Sequence, residues 1–371
     1  MLAMKKTPLH AAHTAQGAKR GEFAGYDMPL YYGLGVMKEH EWVRENAGMF
    51  DVSHMGQITI EGEGVAEFLE TITPSAFQPK AIGRAQYTVL TNEQGGIIDD
   101  LIITRLDENK FFAVINAGRK DVDIAWLEKQ LPTSLTMTKL DSFALIALQG
   151  PKAEAVLADM LHFELEDMPY MTMSSAELPN GTEIFISRLG YTGEDGFEIS
   201  VPDEHAENLW NALNDQPDVE AIGLAARDSL RLEMGYALYG HDIDETTSPV
   251  EADIAWIISK KTSGYLGYDR ISDERANGAK RKRVGIKLTD KGVAREGAEI
   301  RNEADEVIGA LTSGGFGPSA KLSIGQGYVA TEYANAGTKL FVNVRGRNIA
   351  AEVAPMPFVP AKTKSMKKKA A

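Results

Sequence analysis

Gly95-Gly96-Ile97-Ile98-Asp99-Asp100-Leu101-Ile102-Ile103 sets two adjacent carboxylates at the start of an otherwise apolar, β-branched run. The glycine pair permits a tight turn. The run that follows has the composition of a strand buried on both faces. Acids at the mouth of such a strand are costly to bury unless hydrogen-bonded or paired. Successive strand side chains point to opposite faces, so Asp99 and Asp100 are not expected to line one cleft together. Two readings stand at this point: both acids hold the turn and a neighbouring loop, or one of them does chemistry.

Outward from that strand, residues 87–90 and 97–104 read as a hairpin around the 91–96 turn, and residues 111–116 extend it to a three-stranded meander. Val65, Phe68, Leu69 and Ile72 share one helical face, and a second helix is expected over 122–131. A similar strand–helix–strand order starts at the apolar run Phe143 to Leu148. Pro151 suits the first turn of the next helix. A strand follows at 183–188, then a bend into a strand at 190–199 and a helix at 204–213. Upstream, residues 23–32 read as an aromatic-rich loop and 37–44 as a helix. From about Val284 the texture changes to short strands at 284–288, 307–311, 325–329, 339–344 and 349–353, separated by Gly-rich turns, which indicates a small β-barrel or sandwich. The fold class is therefore α+β: two related α+β units plus a C-terminal small β-barrel or sandwich.

The composition excludes several kinds of chemistry. The chain of 371 residues has no cysteine, which removes disulfides, thiolate nucleophiles and Cys-ligated metal centres. A net charge of −14 argues against a general nucleic-acid binder, since neutralising phosphates needs a basic surface. No apolar run reaches the ~18 residues of a membrane span, and residues 1–15 lack the apolar core of a secretory signal. A soluble, intracellular, cytoplasmic protein with no membrane contact is expected.

Three further stretches carry candidate chemistry. Gly190 to Ile199 places Tyr191 and Glu198 around a glycine-rich bend, where a backbone can approach a ligand closely. A glutamate with both oxygens free accepts two parallel N–H donors, the pattern on a pterin or guanine edge. The plainer alternative is a hairpin turn with a solvent-facing glutamate. Arg227 and Arg231, four residues apart on a helix, share one face with Asp228 and Glu233 at hand, so they are either paired structural arginines or an anion site. His241 to Glu245 lacks a closed ligand set, and no metal is expected there. The Gly-rich stretches at 33–35, 62–64 and 314–317 have neither dinucleotide-fingerprint nor P-loop spacing, and Ser53-His54 belongs to no triad.

Taken together, these blocks resemble the glycine cleavage T-protein family of aminomethyltransferases. The likeness runs from Thr7-Pro8-Leu9 to Met356-Pro357-Phe358-Val359 and includes Phe50-Asp51-Val52-Ser53-His54-Met55, Gly95 to Leu101, Ala147-Leu148-Gln149-Gly150-Pro151, Gly190 to Gly196, Ala226 to Glu233 and Pro249-Val250-Glu251. The resemblance implies a three-domain ring around a folate channel. Its domains would be 1–50 with 140–280 as a first ferredoxin-like-type unit, 51–139 as a second, 281–361 as the barrel, and 362–371 as a basic disordered tail. It implies tetrahydrofolate as cofactor and the lipoyl-bearing H-protein as partner. The reaction would yield 5,10-methylenetetrahydrofolate, ammonia and dihydrolipoyl H-protein, in the cytoplasm, or in the mitochondrial matrix if the source is eukaryotic. By position, Asp100 falls on the catalytic acid, Glu198 on the pterin-binding glutamate, and Tyr191, Arg227, Asn116, Tyr87 and Met55 on the folate pocket. The sequence departs from the family pattern at Thr104, where a tyrosine is common, and at Ala361-Lys362-Thr363, where some members bring a tyrosine to the folate. The alternative on the same fold is a folate-dependent demethylase of a small methylated sulfur or nitrogen compound.

Overall fold

The computed structural model describes residues 4–78, 80–161 and 163–364. Two open sheets and one closed barrel make up the body. The first sheet has six strands, in the order Thr172–Glu177, Glu183–Arg188, Gly196–Pro202, Phe143–Gln149, Ala47–Asp51 and Val219–Ala221. Its central strand is apolar throughout because both faces are covered. Ala144, Ile146 and Leu148 point into a core closed by the helices Ala153–Leu161 and Asp203–Asn214, where Trp210 is fully buried. Leu145 and Ala147 point the other way, into a cluster with Val43, Phe50 and Leu230. That second face is the one that meets the rest of the molecule.

The second sheet runs Ala85–Thr91, Ile97–Asp107, Lys110–Ile115, Gly56–Glu61 and Thr136–Lys139. Ile58, Ile60, Leu101, Ile103 and Phe111 fill one face with Phe68 and Leu69 of the helix Val65–Ile72. The glycine pair divides its labour. Gly95 takes a left-handed φ of +76° to make the turn. A Cβ on Gly96 would lie 1.7 Å from the carbonyl oxygen of Glu245, so only glycine lets that loop close over the strand mouth. The sheets abut at their edges, where the amide of Ala85 donates to Met171 and that of Met173 to Gly83.

The barrel closes in the order Arg281–Leu288, Leu322–Ala330, Val307–Gly317, Glu299–Arg301, Lys339–Val344 and Arg347–Ala354. Buried charges join it to the first unit. Asp242, with a fully buried side chain, accepts from Arg231 at 2.8 Å, from Gln326 at 2.7 Å and from Ser313 at 3.0 Å. Glu233 accepts from Arg44 at 2.9 Å and from the amides of Ser319 and Ala320 at 2.7 and 3.1 Å.

Several elements differ from the reading of the sequence, among them the strands Thr136–Lys139, Thr172–Glu177, Val219–Ala221 and Glu299–Arg301, which it did not foresee. Residues 23–32 are not a loop but the second half of a hairpin, Lys19–Phe23 with Tyr26–Tyr31, turned by Gly25 at φ +82°. The helix Tyr268–Asn277 carried too few apolar residues to stand out, and buries chiefly Ile271. The basic tail does not leave the body at Lys362: its amide donates to Gly193 at 2.7 Å, and Lys364 pairs with Glu154 at 2.8 Å. Residues 365–371, expected to be disordered, lie outside the described residues.

Replacing Asp242 by alanine would leave Arg231 and Gln326 buried without their shared acceptor. A loss of about 3–5 kcal/mol is expected for breaking such a buried pair, read as a shift of the urea denaturation curve. A loss under about 1 kcal/mol would mean that this network does not hold the barrel to the body.

Candidate active site

Asp100 stands on the strand Ile97–Asp107 opposite Val89, one diagonal step from Tyr87 on the neighbouring strand. The Tyr87 hydroxyl donates to Asp100 Oδ2 at 3.0 Å. On the other side, Ile102 pairs with Val114, so Asn116 emerges from the end of its strand level with Asp100. The Asn116 amide nitrogen lies 2.9 Å from Asp100 Oδ1, from the Asp100 carbonyl and from Asp99 Oδ1, while the Asn116 backbone N–H donates to Asp99 Oδ2 at 3.1 Å. Asp99 and Asp100 do lie on opposite faces, with Asp99 fully buried and Asp100 partly so. Their separation is incomplete, however, because Asn116 sits at a strand end and reaches both. Burial pushes the Asp100 carboxyl up to about 7, with the charge of Asp99 adding to the rise and the bonds from Tyr87 and Asn116 opposing it.

The second half of the site is built on the first sheet. Glu198 pairs with Ala147, and Ala147 with Phe50, so the three form one row pointing to the same face. Arg227, from the helix Leu224–Glu233, lies over this row, with its guanidinium carbon 5.0 Å from the Tyr191 ring centre and 5.9 Å from that of Phe50. Its Nη1 is buried with no hydrogen-bond partner among the described residues. Glu198 accepts no hydrogen bond among the described residues, and burial raises its carboxyl against the pull of Arg227. Arg231 differs from Arg227 four residues away, being satisfied by Asp228 and Asp242.

The two halves face each other. Val114, on the Asp100 face of its sheet, and Met55 both pack against the cluster that contains Phe50 and Ala147. Tyr191 donates to the Ala237 carbonyl and is close enough to feel both Asp100 and Arg227. Of the residues singled out in the sequence, Tyr87 and Asn116 are thus bonded to Asp100, Arg227 lies over Tyr191 on the Glu198 row, and Met55 packs on the cluster between the two groups. Several neighbours carried no sequence signal. Tyr236 stacks on Tyr191 at 5.7 Å, and Tyr170 lies within reach of Tyr236 and Glu198. Trp256, 69% exposed, stacks on Tyr87 at 5.7 Å. Tyr170 and Tyr236 sit in irregular segments and Trp256 in the short 3-10 helix Ala255–Ile257, where no periodicity marks them. Thr104 is buried and brings no hydroxyl to Asp100 among the described residues, whereas residues 361–363 do come to the 190–196 bend through Lys362.

The weaker sequence candidates disperse. His241 pairs with Glu296, Asp242 with Arg231, Asp244 with Thr246 and Thr247, and Glu245 with Arg119, so the 241–245 stretch gathers no ligand set. No group of metal-ligating side chains is found among the described residues. Among the same residues, no helix is long and apolar enough to cross a membrane.

A carboxyl raised by burial on one sheet, and an unengaged carboxylate beside a guanidinium on the other, make this region a candidate active site. Known proteins show the family. The GCVT N-terminal domain matches residues 9–262 and the glycine cleavage T-protein C-terminal barrel domain residues 281–360. The aminomethyltransferase of Porphyromonas gingivalis is 41% identical over 362 residues, covering 96% of this chain and 99% of its own, and that of Chloroherpeton thalassium is 38% identical over 361. The crystal structure of the glycine cleavage system aminomethyltransferase T from Bartonella henselae superposes with a TM-score of 0.91 at 42% identity, over 97% of this chain and 99% of the other. The chain belongs to the glycine cleavage T-protein family, and it is a transferase of the aminomethyl group.

Carboxyl-carbon NMR of labelled aspartate is expected to show Asp100 titrating near 7. Tyr87→Phe removes a bond that favours the anion, so the midpoint should move up. An unchanged or lower midpoint would show that the Tyr87 hydroxyl does not hold the carboxylate.

Proposed function

We propose that this enzyme transfers the aminomethyl carbon from the lipoyl arm of H-protein to tetrahydrofolate, releasing ammonia and dihydrolipoyl H-protein and forming 5,10-methylenetetrahydrofolate. The observation that carries this reading is an unengaged Glu198 carboxylate on one sheet and a raised Asp100 carboxyl on the other, with Val114 and Met55 packed on the Phe50 and Ala147 cluster between them. Glu198 offers two acceptor oxygens to an N–H pair on a pterin edge. Arg227 brings a donor without a partner among the described residues and a cation over aromatic faces. These features fit the folate, whose secondary aryl amine takes up the one-carbon unit.

Asp100 is the group that manages the proton. As that amine attacks, positive charge builds on nitrogen and a proton must leave. A fixed carboxylate beside it stabilises the charge and accepts the proton. Tyr87 and Asn116 each hold one Asp100 oxygen, which fixes the carboxylate plane without supplying a cation that would quench its basicity. With its carboxyl raised to about 7, Asp100 is an anion able to take a proton near neutral pH. The acid limb of the rate should therefore fall as pH drops through about 7. The expected location is the cytoplasm, since the relatives named above are bacterial enzymes.

The test is to incubate the protein with aminomethyl-loaded H-protein and tetrahydrofolate and to follow ammonia and methylene-folate. Folate-dependent release of ammonia is expected. Its absence, with turnover of a methylated sulfur or nitrogen compound instead, would favour the demethylase. Asp100→Asn should keep folate binding and lose about 10²–10⁴ in turnover. Glu198→Gln, which replaces one acceptor by a donor, should weaken folate binding by about 10–150-fold, the equivalent of one charge-assisted bond. Full turnover in Asp100→Asn, with Asp99→Asn inactive, would reverse the assignment of the acids.

A further inference from the structure

Asp123 lies in the first turn of the helix Lys120–Gln130, directly after Val122. The helix is rotated against its polarity: Val122 is 45% exposed, while Asp123 is fully buried. Neither Asp123 oxygen receives a hydrogen bond from any donor among the described residues. The group it meets is another acid, Asp99: Asp99 shares its sheet face with Leu101 and Ile103, which pack on Ile124 and Leu127 of this helix, and Arg119, one turn before Asp123, donates to the Ile98 carbonyl, so that each carboxyl feels the other. Two buried carboxylates cannot both remain ionised in contact, because like charges in a low-dielectric site force a proton onto one of them.

Which acid holds the proton follows from their other partners. Asp99 accepts two bonds from Asn116, to a different oxygen each, and both favour the anion. Asp123 has no such donor. The nearby cation, Arg119, is committed elsewhere: its Nε donates to the Ile98 carbonyl at 3.0 Å and its Nη2 to Glu245 at 2.6 Å. The remaining ionisable groups facing the pair are Asp100 on the same strand as Asp99, Tyr239 and Glu245 from the overlying loop, and Tyr87 beyond Asp100. None supplies a positive charge. Burial and the charge of Asp99 push the Asp123 carboxyl up to about 10, in agreement with the geometry.

We propose that Asp123 is kept protonated and donates its hydrogen bond to Asp99, making it a positioning residue that anchors the Asp99–Asn116–Asp100 chain for aminomethyl transfer. Asp99, flanked by one O–H and two N–H donors, is then the fixed anion against which Asn116 is oriented. The same Asn116 amide nitrogen holds Asp100. The neutral acid at the far end therefore determines both where Asp100 points and how much negative charge lies beside it. The catalytic part of this inference rests on the proposed role of Asp100, while the protonation of Asp123 does not.

Difference infrared spectroscopy on the full-length protein, at a pH well above the Asp100 midpoint and below that of Asp123, reads the proton directly. A protonated-carboxyl band is expected that disappears in Asp123→Asn and persists in Asp100→Asn above the Asp100 midpoint. Asp123→Leu removes the donor, so the buried Asp99 must capture a proton of its own. The charge beside Asp100 then vanishes, and the acid limb of the transfer rate should move down by about one pH unit or more. Asp123→Asn, whose amide can still donate to Asp99, should restore the wild-type limb. Folate binding and circular dichroism confirm folding of each variant, and the infrared arm stands if Asp123→Leu does not fold. A carboxyl band that survives Asp123→Asn, or an acid limb unmoved in a folded Asp123→Leu, overturns the proposal. Failure of the wild-type transfer assay with the infrared result intact would instead indict the proposed reaction.

Discussion

Three carboxylates are buried at one strand mouth, and among the described residues no ammonium or guanidinium is hydrogen-bonded to any of them. The organisation of the site depends on this constraint. Charge removed from water without a partner is retained only if it is shared among donors or neutralised by a proton. Asn116 provides the sharing, since its side-chain nitrogen and backbone N–H reach both Asp99 and Asp100. Even the turn obeys the same demand, because Gly96 lets the Glu245 carbonyl approach and the Ile97 amide find acceptors at Asp244 and Thr247. An arginine bonded in this place would make Asp100 a strong acid and a poor base. The structure keeps Arg119 one step away.

The opposite wall uses charge differently. Glu198 and Arg227 are near enough to influence each other, yet hydrogen bonds between them are missing among the described residues, and each retains unused capacity. Arg231, on the same helix, shows what a structural arginine looks like here: four contacts, among them Asp228, Asp242 and Ser313. Within a single turn, one arginine is thus fully engaged and the other is not. This contrast also explains why the barrel matters to the site although it contributes none of the residues assigned there. Through Asp242 and Glu233 it fixes the helix from which Arg227 projects.

Much of this was legible in the sequence because it depends on period and composition. The alternation that puts Asp99 and Asp100 on opposite faces, the apolar strand at Phe143–Gln149 and the short-stranded barrel texture all follow from local pattern. What escaped depends on tertiary placement. That Asn116 reaches both acids follows from strand register, which the turn lengths alone did not supply. Asp123 reads as an ordinary first-turn acid, favourable to the helix dipole, until packing turns it inward and Val122 outward. The hairpin at residues 19–31 hid behind Pro29 and a glycine turn, and Tyr170, Tyr236 and Trp256 lie in segments without repeat or motif. Lys362 and Lys364 looked like part of a solvated tail because their partners, Glu194 and Glu154, are about two hundred residues distant.

The central claim is that one ligand spans both walls, with its pterin edge on Glu198 and its reacting nitrogen at Asp100. A crystal structure of the protein with tetrahydrofolate tests this most directly. The account predicts two hydrogen bonds from the pyrimidine edge to Glu198, and the secondary amine within about 2.6–3.2 Å of an Asp100 oxygen or one water from it. Folate bound with Glu198 empty, or with Asp99 rather than Asp100 facing the amine, would contradict it.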